Sequence, residues 1–382
     1  MPAKSAGWRE ARNLLCIRLD NLGDVLMTTP ALRALKSAVP DRRITLLGSA
    51  SGVDAAQFIP DVDEAIRYDA PWSKHGVPPS PADFLAMRDR LEAGGYDAAI
   101  IFTVYSQNPM PAAMLAYLAN IPLRLAHCRE NPYHLLTDWV RETEPNGEVR
   151  HEAQRQMDLV ATVGTPTGDP HMRFQVPDEA SAVVQSLLDE AGIPEDAPLV
   201  VLHPGATAES RRYPAERFAQ VAVELLGRSP CRLIVTGSGE ERGLTRSVTL
   251  LASDTGRIFD FGGELRLGEL GALLERADLL ISNNTGPVHI ASAVGTPVVD
   301  LYALTNPQHT PWQVPNRVLF KEVPCKYCYK SVCPEGHNQC LRGITPTEVV
   351  EAALDLLEQT QPRRSGRPPR PVPAPLLQPT LS

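Results

Sequence analysis

The residues best suited to chemistry in the first half of the chain are a glycine and an aspartate that follow an apolar run. The run at 14–19 ends in a polar turn, and Gly23 and Asp24 stand where a helical pattern begins. Open α/β sheets bind their ligands outside the carboxyl ends of their strands. We therefore expect Asp24 at such a strand end, with its carboxylate placed to take a proton from a substrate. The alternative is an aspartate that serves only as a helix N-cap.

A second candidate site lies in the second half of the chain, where three glycine-bearing turns follow successive apolar runs. Backbone amides at helix N-termini bind phosphates, arginine adds positive charge, and an acid can accept from a ribose hydroxyl. Three such turns at one edge of a sheet predict a pocket for a nucleotide diphosphate. The candidate residues are His203, Gly205, Arg211 and Arg212 in the first turn, Gly237, Gly239, Glu240 and Glu241 in the second, and Asn284, Thr285, Gly286 and His289 in the third.

Each turn also has an ordinary structural explanation. Adjacent arginines on a loop are commonly just solvated, and the glycine pattern at 237–243 fits any tight turn between a strand and a helix. A lone histidine such as His289 is often a core residue. The first turn favours phosphate binding because a helix follows it directly. For Glu240 and Glu241, ribose contact and simple solvation are equally open.

Four of the seven cysteines stand close together in the sequence, at 325, 328, 333 and 340. In a reducing compartment such crowding suggests a metal site rather than disulfides, and four thiolates suit tetrahedral zinc. The spacing of the second pair is irregular, so structural zinc, iron–sulfur ligation and reduced thiols all stay open. The candidate ligands are Cys325, Cys328, Cys333 and Cys340.

These sites need a scaffold, and the sequence predicts an α/β fold of two doubly wound domains. Apolar runs without strict alternation recur between helical patterns, which is typical of parallel strands covered on both faces. The expected domains are 1–177 and 178–360, the second containing the cysteine cluster at 325–340. The expected strands are 14–19, 44–47, 65–68, 98–102, 199–202, 232–236, 257–260, 279–282 and 298–302. The expected helices are 30–39, 80–93, 105–118, 178–191, 214–227, 240–252, 267–276, 287–294 and 346–359.

Composition excludes several classes of protein. The chain has 382 residues, 43% of them hydrophobic, and a net charge of −8. No stretch approaches the ~18 apolar residues of a membrane span, and an acidic body argues against nucleic-acid binding. No secretory signal is evident, so a cytoplasmic location is expected. The last 22 residues, 361–382, hold four arginines, seven prolines and no acid. We predict that this tail is disordered, with weak contact to an anionic membrane surface left open.

Three motifs together resemble glycosyltransferase family 9, the heptosyltransferases that build the inner core of lipopolysaccharide. They are GDVLMTTP at 23–30, HPGA at 203–206 with RRYP at 211–214, and SNNTGPVH at 282–289. The resemblance runs over about 12–358 and implies the GT-B fold, two Rossmann-like domains facing each other across a cleft. In that fold the N-terminal domain takes the acceptor and the C-terminal domain holds the sugar nucleotide.

Carried over residue by residue, the resemblance makes Asp24 the catalytic base, with Gly23 beside it on the acceptor side. Arg211 stands where many members have a lysine on the donor phosphates, and Asn284 stands where some have an aspartate. The other implied donor contacts are Glu241 or Glu240 on the ribose, Leu265 near the adenine, Thr285 and Gly286 on the diphosphate, and His289 just beyond them.

The resemblance implies a single displacement with inversion that needs no cofactor and no catalytic metal. Arginines and helix N-termini would neutralise the leaving diphosphate. The expected donor is ADP-heptose, and the expected acceptor is a lipid-linked core glycan at the cytoplasmic face of the inner membrane. Three alternatives stay open: a sugar-nucleotide epimerase, a nicotinamide-dependent oxidoreductase and a non-catalytic protein that binds nucleotide sugars.

Overall fold

The structure is a computed structural model that describes residues 4–73, 80–165, 168–194 and 196–360. The chain divides into two compact units, Met1–Gln175 and Val176–Ser382. The disorder predicted for the tail at 361–382 falls outside the described residues. Within those residues, no helix combines the length and the apolar character that crossing a bilayer would require.

The first unit alternates strands and helices. Its elements are α1 (Lys4–Glu10), β1 (Asn13–Arg18), α2 (Leu22–Ala38), β2 (Arg43–Gly48), α3 (Ala50–Ala56), β3 (Glu64–Arg67), α4 (Pro81–Ala93), β4 (Ala98–Ile101), α5 (Met110–Leu118), β5 (Leu123–Cys128), β6 (Asp138–Arg141) and α6 (Glu152–Ala161). Its strands pair in parallel in the order β3-β2-β1-β4-β5-β6. This is the Rossmann order, in which ligands bind where the winding reverses, here at the carboxyl ends of β1 and β4.

The second unit repeats this architecture. Its elements are α7 (Asp178–Glu190), β7 (Leu199–His203), α8 (Ala215–Arg228), β8 (Arg232–Gly237), α9 (Arg242–Leu250), β9 (Ile258–Gly262), α10 (Leu267–Arg276), β10 (Leu279–Asn283), α11 (Gly286–Val294), β11 (Val298–Leu301), β12 (Asn316–Leu319), α12 (Gln339–Arg342) and α13 (Pro346–Thr360). The order β9-β8-β7-β10-β11-β12 is again parallel throughout. The reversal therefore lies between β7 and β10.

The helix after β1 is longer than predicted, and this bears directly on Asp24. The helical pattern predicted to begin around Gly23 and Asp24 is confirmed by the start of α2 at Leu22, whereas the expected span of 30–39 was too short, because Pro30 lies inside the helix. A proline inside a helix cannot donate to the carbonyl four residues earlier. Here the Thr29 hydroxyl donates to that carbonyl, the Leu26 oxygen, at 2.7 Å. The helix therefore continues through the proline, with its first turn around Asp24.

Other elements follow the sequence pattern more closely. The predicted helix starts at Ser80 and Thr345 are confirmed: Asp83 N donates to Ser80 Oγ at 3.2 Å, and Thr345 N donates to Glu348 Oε2 at 2.8 Å. Strands β5, β6 and β12 were not predicted. β6 and β12 are short edge strands that are only partly buried, and β5 contains a buried arginine, Arg124, whose guanidinium donates to backbone carbonyls.

Candidate active site

Asp24 lies in the first turn of α2, beside the carboxyl end of β1. Its Oδ2 accepts a hydrogen bond from Asn21 N at 3.2 Å, and its Oδ1 accepts from Arg18 Nη2, also at 3.2 Å. The N-cap of the helix is Asn21, so the alternative that made Asp24 the N-cap is corrected. The side chain is 15% exposed. A carboxylate can accept about four hydrogen bonds. The Asp24 carboxylate is therefore an acceptor of hydrogen bonds that is still partly accessible from solvent.

Arg18, the last residue of β1, is fully buried, and its guanidinium contacts three carboxylates. Besides Asp24 it contacts Glu152 Oε1 through Nη1 at 2.7 Å and Asp20 Oδ2 through Nε at 2.9 Å. Burial alone would lower the pKa of Arg18, but these three acids raise it. Burial, with the repulsion of Asp24 and Glu152, raises the pKa of Asp20 to about 6 despite the attraction of Arg18. Gly23, next to Asp24, is buried within α2.

The first of the three glycine-bearing turns follows β7, which ends at His203. Burial lowers the pKa of His203 to about 4, against the opposing effect of Glu241, so the imidazole is neutral at pH 7. Its Nδ1 lies 3.0 Å from Thr236 Oγ1 at the end of β8. A short 3₁₀ helix, Glu209–Arg211, then carries Arg211, and Arg212 Nε donates to Ala206 O at 2.7 Å. The guanidinium of Arg212 therefore holds the turn closed.

The second turn contacts the first turn through the side chain of one of the two candidate acids. Ser238 N donates to Glu241 Oε2 at 2.8 Å, and the Glu241 carboxylate lies against Gly205. Gly237 ends β8, whereas Gly239 and Glu240 are exposed on the following 3₁₀ turn. Of the two acids, the structure brings Glu241 to the first turn.

The third turn is tied to the first by a residue that the sequence analysis did not select, Asn283. Its Oδ1 accepts from Tyr213 N at 3.0 Å, and its Nδ2 donates to Pro204 O at 2.7 Å. Thr285 is the N-cap of α11 and Gly286 its first residue, and both are half-buried. The amides that open α11 therefore share one end of the sheet with the first turn, an arrangement suited to an anion.

A network of hydrogen bonds between buried polar groups holds the third turn in place. Asn284 Nδ2 donates to Asp300 Oδ2 at 2.9 Å and to His309 O at 2.8 Å. Asp300 is fully buried, and burial raises its pKa well above the ordinary value. His289 is also buried, with its ring 6.5 Å from that of His309. Leu265 lies apart from this network, half-buried on the loop between β9 and α10.

The cysteine segment, residues 325–340, packs against the first glycine-bearing turn. Ser210 N donates to Ser331 O at 2.9 Å and Ser210 Oγ to Lys330 O at 2.7 Å. All four cysteines line one small cavity with His337, and Cys325 Sγ lies 3.9 Å from His337 Nε2. Even so, within the described ranges no three His, Cys, Asp or Glu side chains form a group that could hold a metal ion.

The sequence analysis did not select four residues of these sites: Arg18, Glu152, Asn283 and Asp300. Arg18 and Asp300 did carry a signal, because each is a charge inside an otherwise apolar strand. Asn283 stands within the quoted third motif. Glu152 carried no local signal, since its partner Arg18 is 134 residues away in sequence.

Comparison with known proteins shows which proteins this chain is similar to. Residues 84–339 match the model of glycosyltransferase family 9 (heptosyltransferase). Lipopolysaccharide heptosyltransferase 2 of Salmonella typhimurium is 24% identical over 352 residues, which cover 88% of this chain and 96% of that protein. A family 9 glycosyltransferase of Veillonella parvula has a TM-score of 0.76 at 25% identity, covering 91% of this chain and 98% of its own. ADP-heptose lipopolysaccharide heptosyltransferase II of Escherichia coli has a TM-score of 0.69 at 22% identity, covering 91% and 99%.

The solved structures bear out the predicted GT-B type of fold, with its two parallel α/β sheets. The family model spans well over half of the 382 residues and includes all three glycine-bearing turns. The chain therefore belongs to glycosyltransferase family 9 and is a glycosyltransferase.

Proposed function

We propose that this protein is an inverting heptosyltransferase that moves heptose from ADP-heptose to the core of lipopolysaccharide. The Salmonella relative is named for heptose transfer to lipopolysaccharide, and the E. coli relative also for ADP-heptose. The observation that carries the proposal is the joining of three phosphate-type turns at one end of the second sheet. Asn283 links the third turn to the first, and Glu241 links the second to the first.

In the donor complex we propose, the diphosphate lies against the amides that begin α11 and beside Arg211. Arginine offers a planar fork of donors that suits phosphate oxygens. Thr285, Gly286 and His289 complete that side, and Gly205 leaves room for the carboxylate of Glu241. Glu241 accepts from the ribose hydroxyls, and Leu265 packs near the base.

The chemical step we propose is one displacement at the anomeric carbon. The acceptor oxygen forms a bond to that carbon while the bond to the diphosphate oxygen breaks on the opposite face, which inverts the configuration. Asp24 takes the proton of the acceptor hydroxyl, as a general base. The electron pair of the broken bond leaves with ADP, where Arg211 and Arg212 neutralise the developing charge.

For the acceptor we propose a lipid-linked core glycan, met at the cytoplasmic face of the inner membrane. Gly23 and Asp24 would lie on the acceptor side of the reacting carbon. Vesicles that contain the lipid-linked acceptor provide the test: co-sedimentation above that with vesicles lacking it supports this part of the proposal, and equal sedimentation contradicts it.

We also propose that the cysteine segment carries a structural metal, with zinc as the first candidate. The four thiols and His337 lining one cavity support this, although the ligand groups are not drawn together as a bound ion requires. Zinc and iron should be measured on protein purified without oxygen. Stoichiometric metal that is lost in Cys328→Ser supports the site, and metal-free folded protein identifies reduced thiols instead.

One experiment tests the central proposal. A panel of nucleotides and nucleotide sugars is ranked by thermal shift, and the best binder is incubated with and without lipopolysaccharide core acceptors. ADP-heptose should be consumed only with an acceptor, giving ADP and an extended glycan. Conversion of the donor alone would indicate an epimerase, and binding without consumption would indicate a non-catalytic protein.

The base is tested by Asp24→Asn, which should keep nucleotide binding and lose transfer by ~10²–10⁴ in rate. A matched control is Asp83→Asn, because Asp83 holds the equivalent third position of α4 and Ser80 N donates to its carboxylate. That variant should transfer at the normal rate. Near-normal turnover by Asp24→Asn would remove Asp24 from the mechanism.

A further inference from the structure

Arg18 forms a set of contacts around Asp24 to which the proposed mechanism assigns no role. Each of its three guanidinium nitrogens contacts a different carboxylate: Nη2 that of Asp24, Nη1 that of Glu152, and Nε that of Asp20. The Arg18 and Glu152 side chains are both completely buried. The contacts with Glu152 and Asp24 are hydrogen bonds, and because a guanidinium is planar and rigid, two such bonds define its position and its orientation together.

The contact with Glu152 is the anchor of this arrangement. Glu152 is the first residue of α6, which packs along α2. Gln156 Nε2 donates to the same Glu152 Oε1 that receives Arg18, at 2.6 Å. Gln156 in turn donates to Thr103 O at 3.1 Å, just beyond β4. Glu152, the partner of Arg18 Nη1, is thus itself held by Gln156 and, through Gln156, by the backbone beyond β4.

Asp24 is held from two sides as a result. Arg18 holds one carboxylate oxygen and Asn21 N the other, each at 3.2 Å. Two contacts to different oxygens fix the plane of the carboxylate. Catalysis by a positioned base depends on this, because a displacement of about 1 Å can cost ~10²-fold in rate.

We propose that Arg18, anchored by Glu152, is a positioning residue that holds the Asp24 carboxylate in the orientation needed to accept the acceptor's proton. This inference rests on the proposed role of Asp24 as base. Asp20 and Glu152 are charged groups that contact Arg18 beside Asp24.

The test is a double-mutant cycle with Arg18→Lys and Asp24→Asn, using ADP-heptose and a core acceptor. Lysine keeps the charge but cannot contact three carboxylates in fixed directions. Arg18→Lys should lower kcat by ~10- to ~10²-fold and leave the donor KM within about twofold. Added to Asp24→Asn, it should cause no further loss, because the group it positions is already gone.

Arg124→Lys is the matched control. Arg124 is also a buried arginine of the first unit, and its guanidinium donates to Leu135 O and His134 O, both at 2.8 Å, rather than to the Asp24 carboxylate. It should change thermal stability without changing kcat per folded molecule. If Arg18→Lys does not fold, Glu152→Gln replaces it, with a smaller loss of kcat expected in the same direction.

The outcomes separate this inference from the proposed function. Normal kcat in Arg18→Lys, or an equal loss with and without Asp24, overturns the positioning role while the base role stands. Normal turnover in Asp24→Asn overturns the base role, and the positioning role with it. A loss of kcat that appears only when Asp24 is present supports the inference.

Discussion

The carboxylate of Glu241 lies directly against Gly205, so the turn after β8 contacts the turn after β7 at a residue without a side chain. A methyl group at Gly205 would overlap both Glu241 oxygens. The same carboxylate accepts from Ser238 N at 2.8 Å. The position of the acid that we propose for the ribose therefore depends on glycine at 205.

Gly205→Ala should weaken donor binding with little effect on folding. The methyl group would push the flexible Glu241 side chain aside, and losing a charged hydrogen bond of about 1.5–3 kcal/mol corresponds to ~10-fold or more in affinity. Calorimetric titration with ADP, together with the donor KM, measures this. Gly227→Ala is the control, because a methyl group there would meet no atom within 4 Å and the variant should bind ADP normally. Unchanged ADP affinity in Gly205→Ala would contradict the contact.

Which acid faces Gly205 could not be predicted from the sequence, whereas the position of the turn could. Strand β8, the glycines after it and the helix that follows are local patterns, and the sequence analysis located them within a few residues. Glu240 and Glu241 are neighbours, and only the 3₁₀ turn at Gly239–Glu241 decides which one points at the first turn. That geometry depends on packing against Gly205, which lies far away in sequence.

At the site around Asp24, too, local features were predictable and distant contacts were not. The strand end before Asp24 was predictable because β1 is an apolar run. The continuity of α2 was not, because Pro30 resembled a helix beginning and only the bond from the Thr29 hydroxyl to Leu26 O shows how the helix accommodates the proline. The contact of Arg18 with Glu152 joins residues 134 positions apart, so no local pattern could predict it.

Asp20→Asn should stabilise the protein at alkaline pH. The pKa of Asp20 is raised from 3.8 to about 6 in the fold, so the folded state holds this proton more tightly than the unfolded state. Its favourable contribution is complete below pH 4 and is lost as the pH rises through 6. Asparagine resembles the protonated form at every pH. The gain above pH 6 should be about 1–3 kcal/mol, and the two proteins should converge towards pH 4.

Urea unfolding between pH 4 and pH 8 measures this difference. Asp83→Asn provides a control of opposite sign, because hydrogen bonds from Ser80 lower the pKa of Asp83. That variant should lose stability over this whole pH range, because the contribution of Asp83 is lost only as the pH falls through its lowered pKa. An Asp20→Asn variant that is less stable than the wild type at pH 8 would mean that Arg18 outweighs burial at this position.

Ser210→Ala should raise the donor KM and leave kcat nearly unchanged. Ser210 is 3% exposed, and its hydroxyl joins the 3₁₀ helix that carries Arg211 to the cysteine segment at Lys330 O. Without it the first turn is less firmly held, and we expect a rise in KM of about 3- to 10-fold, the equivalent of one hydrogen bond. Ser247→Ala removes a comparable bond, to Leu244 O at 2.7 Å, from an exposed site on α9. Equal effects from both variants would show that the cysteine segment does not support the donor turn.

Asn284→Asp should destabilise the second unit even though some family members are expected to carry aspartate there. Asn284 Nδ2 donates to Asp300 Oδ2 at 2.9 Å and to His309 O at 2.8 Å, and an ionised aspartate can donate to neither. The new carboxylate would also face a buried acid whose pKa is already raised well above the ordinary value. We expect a loss of about 2–4 kcal/mol near neutral pH.

The pH dependence and a second substitution identify the cause of this loss. Two neighbouring buried acids both resist ionisation, so the loss should grow as the pH rises. In the double variant, the amide of Asn at position 300 can donate to the new carboxylate at position 284, so part of the lost stability should be recovered. Asp300→Asn alone should cost little stability, because its amide oxygen can still accept from Asn284. Chemical unfolding of the four proteins at pH 6 and pH 8 gives the coupling between the two positions. Strictly additive effects would mean that the Asn284–Asp300 hydrogen bond does not decide which side chain this position tolerates.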